Sequence, residues 1–171
     1  MPIQRLNHAV LYVGNVERSV AFYSDVLGFR ADVLMPGRAA FMLAPGSTND
    51  HDLGLFQIGD AARPSDAGSA TVGLYHLAWE VDTLGELKRI RDALSSAGSL
   101  VGASDHSTTK ALYAKDPDGL EFEVCWIVPA DLVTDDLRSG RARISPLDLD
   151  AEIVRYGADT PGLGQAVAAG R

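Results

Sequence analysis

Three residues of the 171-residue chain combine the chemistry and the surroundings that a metal site needs: His8, His76 and Glu123. His8 lies in Leu6-Asn7-His8-Ala9-Val10-Leu11-Tyr12-Val13, and His76 in Leu74-Tyr75-His76-Leu77-Ala78-Trp79-Glu80-Val81. Both segments read Leu-x-His, end in Val five residues after the histidine, and carry the apolar and aromatic residues that favour strands. Period-2 alternation puts His8 on one face with Leu6, Val10 and Tyr12, and His76 with Leu74 and Ala78. In a third run, Glu123 shares a face with Glu121 and Cys125, opposite Phe122, Val124 and Trp126. Imidazoles and carboxylates flanked by apolar residues are costly to bury without partners. Brought to one point, two imidazoles and one carboxylate with open positions form a facial triad suited to Fe(II) and similar ions. The residues alone leave a second reading open, in which each histidine is an ordinary core or edge residue satisfied by its neighbours. The recurrence of histidine at equivalent places in two alike segments weighs towards a site.

The elements that must position these residues also recur. After the first strand, Val16, Val20, Tyr23 and Leu27 fall at helical spacing, with Asn15 as N-cap and Gly28 as stop. After the second, Leu87, Ile90 and Leu94 do the same, with Thr83 and Glu86 at capping-box spacing and Gly98 closing the helix. Strand-like runs follow each helix: Arg30–Met35, Ala39–Leu43 and Asp52–Ile58, then a weak stretch near Leu100, Lys110–Lys115 and Glu121–Ile127. Asp116-Pro117-Asp118-Gly119 is a strong turn signal between the last two. The chain is therefore expected to be α+β, with two βαβββ modules over about residues 3–58 and 74–128 of a single domain 1–128. Residues 59–73, rich in Gly, Ala, Ser and Pro, read as a linker. Residues 129–171 form a C-terminal extension, with a short helix around Asp148–Tyr156 and a loose Gly/Ala-rich end.

Composition narrows the function classes. A content of 46 % hydrophobic and 22 % charged residues is enough for a real core. Net charge is −8, from 23 acidic and 15 basic residues, so no basic stripe exists to engage nucleic acid or an anionic membrane. A single cysteine, Cys125, excludes an internal disulfide and a thiolate-rich metal site. The first residues show no apolar signal region, and no stretch has the length of a membrane span, so a cytoplasmic protein is expected.

The pattern over residues 3–128 resembles the vicinal oxygen chelate (glyoxalase/bleomycin-resistance/extradiol dioxygenase) superfamily. Leu6-Asn7-His8 with Ser19-Val20-Ala21-Phe22-Tyr23-Ser24-Asp25-Val26-Leu27-Gly28-Phe29 is similar to the opening of a superfamily module, and Glu123 four residues after Gly119 is superfamily-wide too. Three matches are narrower and resemble the small two-module extradiol, catechol 2,3-cleaving dioxygenases. Asp50-His51-Asp52-Leu53-Gly54-Leu55-Phe56 is similar to the segment whose histidine is the acid–base residue. His76-Leu77-Ala78-Trp79-Glu80-Val81 is similar to the segment with the second histidine ligand. Asp105-His106, with Tyr113 seven residues on and Glu123 ten further, resembles the His and Tyr that support substrate, followed by the ligand Glu.

The resemblance implies two βαβββ modules packed as a curved mixed sheet around a metal cleft. It implies Fe(II), alternatively Mn(II) or another divalent metal, held by His8, His76 and Glu123. It implies His51, His106 and Tyr113 as catalytic groups, a small catechol-like aromatic and O2 as substrates, and a homodimer. Glu121 rivals Glu123 as ligand, and the spacing from Gly119 favours Glu123. In glyoxalase-type members a fourth ligand, usually a carboxylate, comes from the strand that here reads Asp52–Ile58, where Leu55 and Phe56 stand near the equivalent place. Two other functions follow from the same resemblance: a Lewis-acid isomerase, epimerase or lyase, and a ligand-sequestering resistance protein without catalysis. The ligand triad counts against the last. One departure is that the familiar two-domain dioxygenases have four modules and this chain has two.

Overall fold

Residues 2–3, 5–63, 65 and 70–164 are described by the computed structural model. They fall into two compact units, Met1–Asp66 with Asp116–Gly119, and Ala67–Lys115 with Leu120–Arg171. In the first, β1 (Ala9–Val13), α1 (Val16–Leu27), β2 (Arg30–Met35), β3 (Ala39–Leu43) and β4 (Leu53–Gln57) follow in order. In the second, β5 (Leu77–Glu80), α2 (Leu84–Ser96), β6 (Leu100–Asp105), β7 (Thr109–Lys115) and β8 (Glu121–Ile127) repeat the sequence of elements. The α+β fold with two βαβββ modules is thus as expected. The sheets run β1-β4-β3-β2 and β5-β8-β7-β6, the latter extended by β9 (Ser145–Pro146). Both are mixed: the first strand of each module pairs parallel with its last, and the remaining pairs within the module are antiparallel.

The helix boundaries follow from the capping residues. Asn15 accepts a hydrogen bond from the Arg18 amide at 2.8 Å, and Gly28 ends α1 at φ 74°, a left-handed conformation that glycine adopts without strain. Thr83 accepts from the Glu86 amide at 3.2 Å. The reciprocal arm of the capping box is absent, because the Glu86 carboxylate is taken by Arg89 at 2.6 Å. Each helix buries one apolar stripe on its own sheet: Val16, Tyr23, Val26 and Leu27 of α1, and Leu84, Leu87, Ile90 and Leu94 of α2.

The turn Asp116–Gly119 counts with the first unit. Asp118 accepts from the Gly14 amide at 3.1 Å and pairs with Arg18. The buried Tyr23 hydroxyl donates to Asp116 at 3.2 Å. Burial, and then the Asp116 charge, push the Tyr23 phenol far above its ordinary range, so it stays a donor.

Three expectations shift. The histidine strands start later than their apolar runs, at Ala9 and Leu77, so both histidines precede rather than join the ladders. The weak stretch near Leu100 is a full six-residue strand, held between β7 and β9. The C-terminal extension has the expected short helix, α4 (Leu149–Tyr156), capped by Asp148, and adds α3 (Asp135–Ser139) and β9, which were not expected. Residues 64 and 66–69 of the expected linker, and the Gly/Ala-rich end from 165, lie outside the described residues. Among the described residues no helix is long and apolar enough to cross a membrane.

Leu87 is fully buried on α2. Leu87→Ala should lower unfolding free energy by about 2–5 kcal/mol, read as a lower denaturant midpoint with an unchanged slope. A shift of less than a few tenths of a kcal/mol would mean that α2 does not pack as described.

Candidate functional site

In the second unit the parallel register of β5 and β8 sets Ala78 opposite Glu123. His76 is two residues before Ala78 and on the same face, so its ring leans towards the glutamate. His76 Nε2 stands 3.3 Å from Glu123 Oε2, with both side chains mostly buried. Glu121 lies opposite Lys115, one strand period away, and it is Glu123 that reaches His76.

The antiparallel partner of Glu123 on β7 is Tyr113. Its hydroxyl is 2.9 Å from His106 Nε2, the histidine coming from the turn between β6 and β7. Burial first, and then the Glu123 charge, push the Tyr113 phenol up to about 12. The phenol therefore keeps its proton near neutral pH. Cys125, next along the same face, is also pushed to about 12 by burial and then by Glu123, which leaves it a protonated thiol.

The first unit gathers the other two candidates. The His8 and His51 rings lie against each other at a 38° tilt with centroids 4.3 Å apart, and the Phe41 ring lies 4.9 Å from that of His51. His8 Nδ1 is 2.8 Å from Asn7 Oδ1, and His51 Nδ1 is 2.9 Å from Asp50 Oδ2. Both partner oxygens only accept, so each Nδ1 carries the proton, and in the neutral ring each Nε2 presents a lone pair. Asp52 accepts from the Ala44 amide at 2.8 Å, the Ser47 hydroxyl at 2.9 Å and the Asn49 amide group at 2.6 Å, bracing the loop that carries His51.

The structure thus brings together His76 with Glu123, His106 with Tyr113, and His8 with His51. Sequence reasoning missed Asn7, which orients His8, and Asn49, which donates to the Asn7 carbonyl at 2.8 Å. An Asn directly before a candidate ligand histidine is the available signal for the first. The register also revises one comparison. The first-unit position matching Glu123 is Gly54, opposite Val10, rather than Leu55 or Phe56. A Cβ at Gly54 would fall 3.3 Å from Val10 Cγ2 and 3.7 Å from the Phe41 ring, so the place is filled by apolar neighbours.

The donors suit a divalent ion. A nitrogen and an oxygen each about 2.1 Å from one ion, at right angles, stand about 3 Å apart, close to the His76–Glu123 spacing. His76 Nδ1 is buried with no hydrogen-bond partner among the described residues, so Nε2 alone meets the carboxylate. Among the described residues no group of three or more His, Cys, Asp or Glu is placed to hold a metal.

Residues 5–124 match the Glyoxalase/Bleomycin resistance protein/Dioxygenase superfamily. The chain belongs to that superfamily. It is 32 % identical over 119 residues to a catechol-2,3-dioxygenase of Bacillus subtilis, covering 70 % of this chain and 40 % of that protein. It therefore spans less than half the length of that relative. It is 34 % identical over 125 residues to a lactoylglutathione lyase of Neisseria meningitidis, covering 70 % of this chain and 88 % of the relative. The crystal structure of a glyoxylase/bleomycin resistance protein/dioxygenase domain from Frankia sp. shares the fold, with a TM-score of 0.60 at 21 % identity over 72 % of this chain and 92 % of that one.

Calorimetric titration of the metal-free protein with Mn(II) separates the two β8 carboxylates. Glu123→Ala should abolish uptake, whereas Glu121→Ala should retain most of it. The reverse result would put the β8 register one strand period off.

Proposed function

We propose that the chain is an Fe(II)-dependent extradiol ring-cleavage dioxygenase acting on a catechol-like aromatic and O2, with His8, His76 and Glu123 as the protein ligands of the metal. Mn(II) would satisfy the same donors, since two imidazoles and a carboxylate without thiolate do not discriminate strongly between these ions. The observation that carries the reading is Gly54. A glycine at the register position of Glu123 leaves the first unit without a fourth carboxylate ligand. Three protein ligands leave positions for a substrate with two adjacent oxygens and for dioxygen. The metal, when bound, eases deprotonation of a catechol and supplies the oxygen chemistry.

The remaining tasks fall to side chains. His51, with its Nδ1 proton on Asp50, has Nε2 available to take a substrate hydroxyl proton and later to return it. Phe41 against the His51 ring limits water and fixes the ring plane. With His106 Nε2–H donating to its oxygen, the Tyr113 phenol keeps its own proton to donate to a substrate oxygen as negative charge builds there.

The similarity to a lactoylglutathione lyase, covering 88 % of that protein, favours a second reading: a Lewis-acid isomerase or lyase that does not use oxygen. Gly54 weighs against it, because the carboxylate expected there in glyoxalase-type members is missing.

Anaerobically prepared, iron-loaded protein should consume oxygen with simple catechols and form a yellow ring-opened product. His51→Gln should keep its iron and bind catechol, yet turn over roughly a hundredfold more slowly, the scale for losing a positioned proton-transfer group. Inactivity across a broad catechol panel, together with metal-dependent turnover of a thiohemiacetal, would replace the dioxygenase by the lyase.

A further inference from the structure

Lys110 is a charged side chain with no part in the chemistry above, and it is completely buried. Its ammonium donates to Asp105 Oδ1 at 2.7 Å and lies 2.9 Å from Glu152 Oε2, an ion pair without an aligned hydrogen bond. Lys110 and Asp105 face each other across the β6–β7 ladder and bracket the turn that carries His106. Glu152 comes from α4, in the C-terminal extension.

That extension holds the turn at four more points. The Ser107 hydroxyl donates to the Leu137 carbonyl at 2.8 Å. Arg141 Nε donates to the Thr108 hydroxyl at 3.2 Å. Gly140 lies so close that a Cβ on it would fall 2.8 Å from the Ser107 oxygen. β9 pairs with the end of β6, setting Ser145 opposite Asp105. Ser107 itself is at φ 68°, the sole non-glycine residue with positive φ among the described residues. A serine persists there only when its surroundings over-determine it. Here the Asp105 carboxylate also accepts the Ser107 amide, at 2.7 Å.

We propose that the C-terminal extension is a clasp that sets the His106–Tyr113 hydrogen bond, with Lys110, Glu152 and Ser107 as positioning residues. The buried cation ties the extension to the base of the turn, and Leu137 to Arg141 tie it to the tip. Strained backbone at Ser107 then directs the preceding His106 ring towards the Tyr113 hydroxyl. The functional meaning rests on His106 and Tyr113 acting on substrate, as read above; the positioning itself does not.

The test uses the full chain labelled with 15N-histidine and 15N-serine, and reads the His106 ring nitrogens and the Ser107 amide by NMR. Tyr113→Phe supplies the reference signal for a His106 ring without its partner. In Glu152→Gln and in Gly140→Ala the ring signal should move towards that reference. Ser107 amide exchange should rise roughly tenfold or more, as local opening becomes easier, while β8 amides keep their protection. Arg141→Ala, an exposed substitution, supplies the same reading, with a smaller change, should either buried variant fail to fold. An unmoved ring signal and an unmoved Ser107 amide in the folded variants, whatever happens to Tm, would make the extension a mere stabiliser and overturn the proposal. Normal catechol turnover by His106→Asn and Tyr113→Phe would instead remove the catalytic reading of the pair, and the ring signal would still decide the clasp.

Discussion

Glu123 meets His76 because β8 runs parallel to β5 in a register that sets Ala78 opposite Glu123. Parallel neighbours cannot be joined by a hairpin, so a whole crossover, here α2, β6 and β7, must intervene and arrive in phase. A slip of one residue would turn Glu123 towards the helix side and bring an apolar neighbour to His76. The stop at Gly98, at φ 66°, and the turn hydrogen bond from the Gly119 amide to Asp116 are what keep that phase. The geometry of the His76–Glu123 pair is thus first a matter of strand register and only then of side-chain chemistry.

The same framework occurs twice and has been dressed differently. Val10 faces Gly54 as Ala78 faces Glu123, and Phe41 faces Gly54 as Tyr113 faces Glu123. The second unit therefore carries a carboxylate and a phenol where the first carries a bare backbone and a phenyl ring. His51 adds what the apolar copy lacks: it comes from the loop after β3, packs against His8, and is flanked by Phe41. A face with a carboxylate and a phenol, and an apolar face with one imidazole against it, are the two results. One sheet plan gives both with few substitutions.

Much of this was legible in the sequence. The paired Leu-x-His segments, the Asn15 and Thr83 caps and the Asp-Pro-Asp-Gly turn are local signals, and local physics decides them. That Glu123, rather than Glu121, faces His76 needed only a period of two and a turn to count from. Other features were illegible because they are settled by distant partners. β6 reads weakly, with Gly102, Ala103 and Ser104 in its middle, and becomes a strand because β7 and β9 flank it. Lys110 reads as a surface residue until Asp105 and Glu152 enclose it. Gly54 reads as an ordinary strand glycine until its parallel partner reveals it as the counterpart of Glu123.

The superfamily match ends at residue 124, yet contacts to the turn at 105–108 come from residues 137–145, and Glu152 reaches Lys110 at its base. A buried ion pair adds little net stability, since desolvation offsets much of the attraction. Its value lies in direction: Lys110 tolerates few positions other than the one between its two carboxylates. A short polar turn with a serine at positive φ offers little apolar side-chain surface of its own, and such turns open readily. Tying that turn to an ion pair that cannot rearrange without stranding a charge converts a soft loop into a rigid mount. The residues that define the family supply the groups, and the residues beyond it hold one of those groups still.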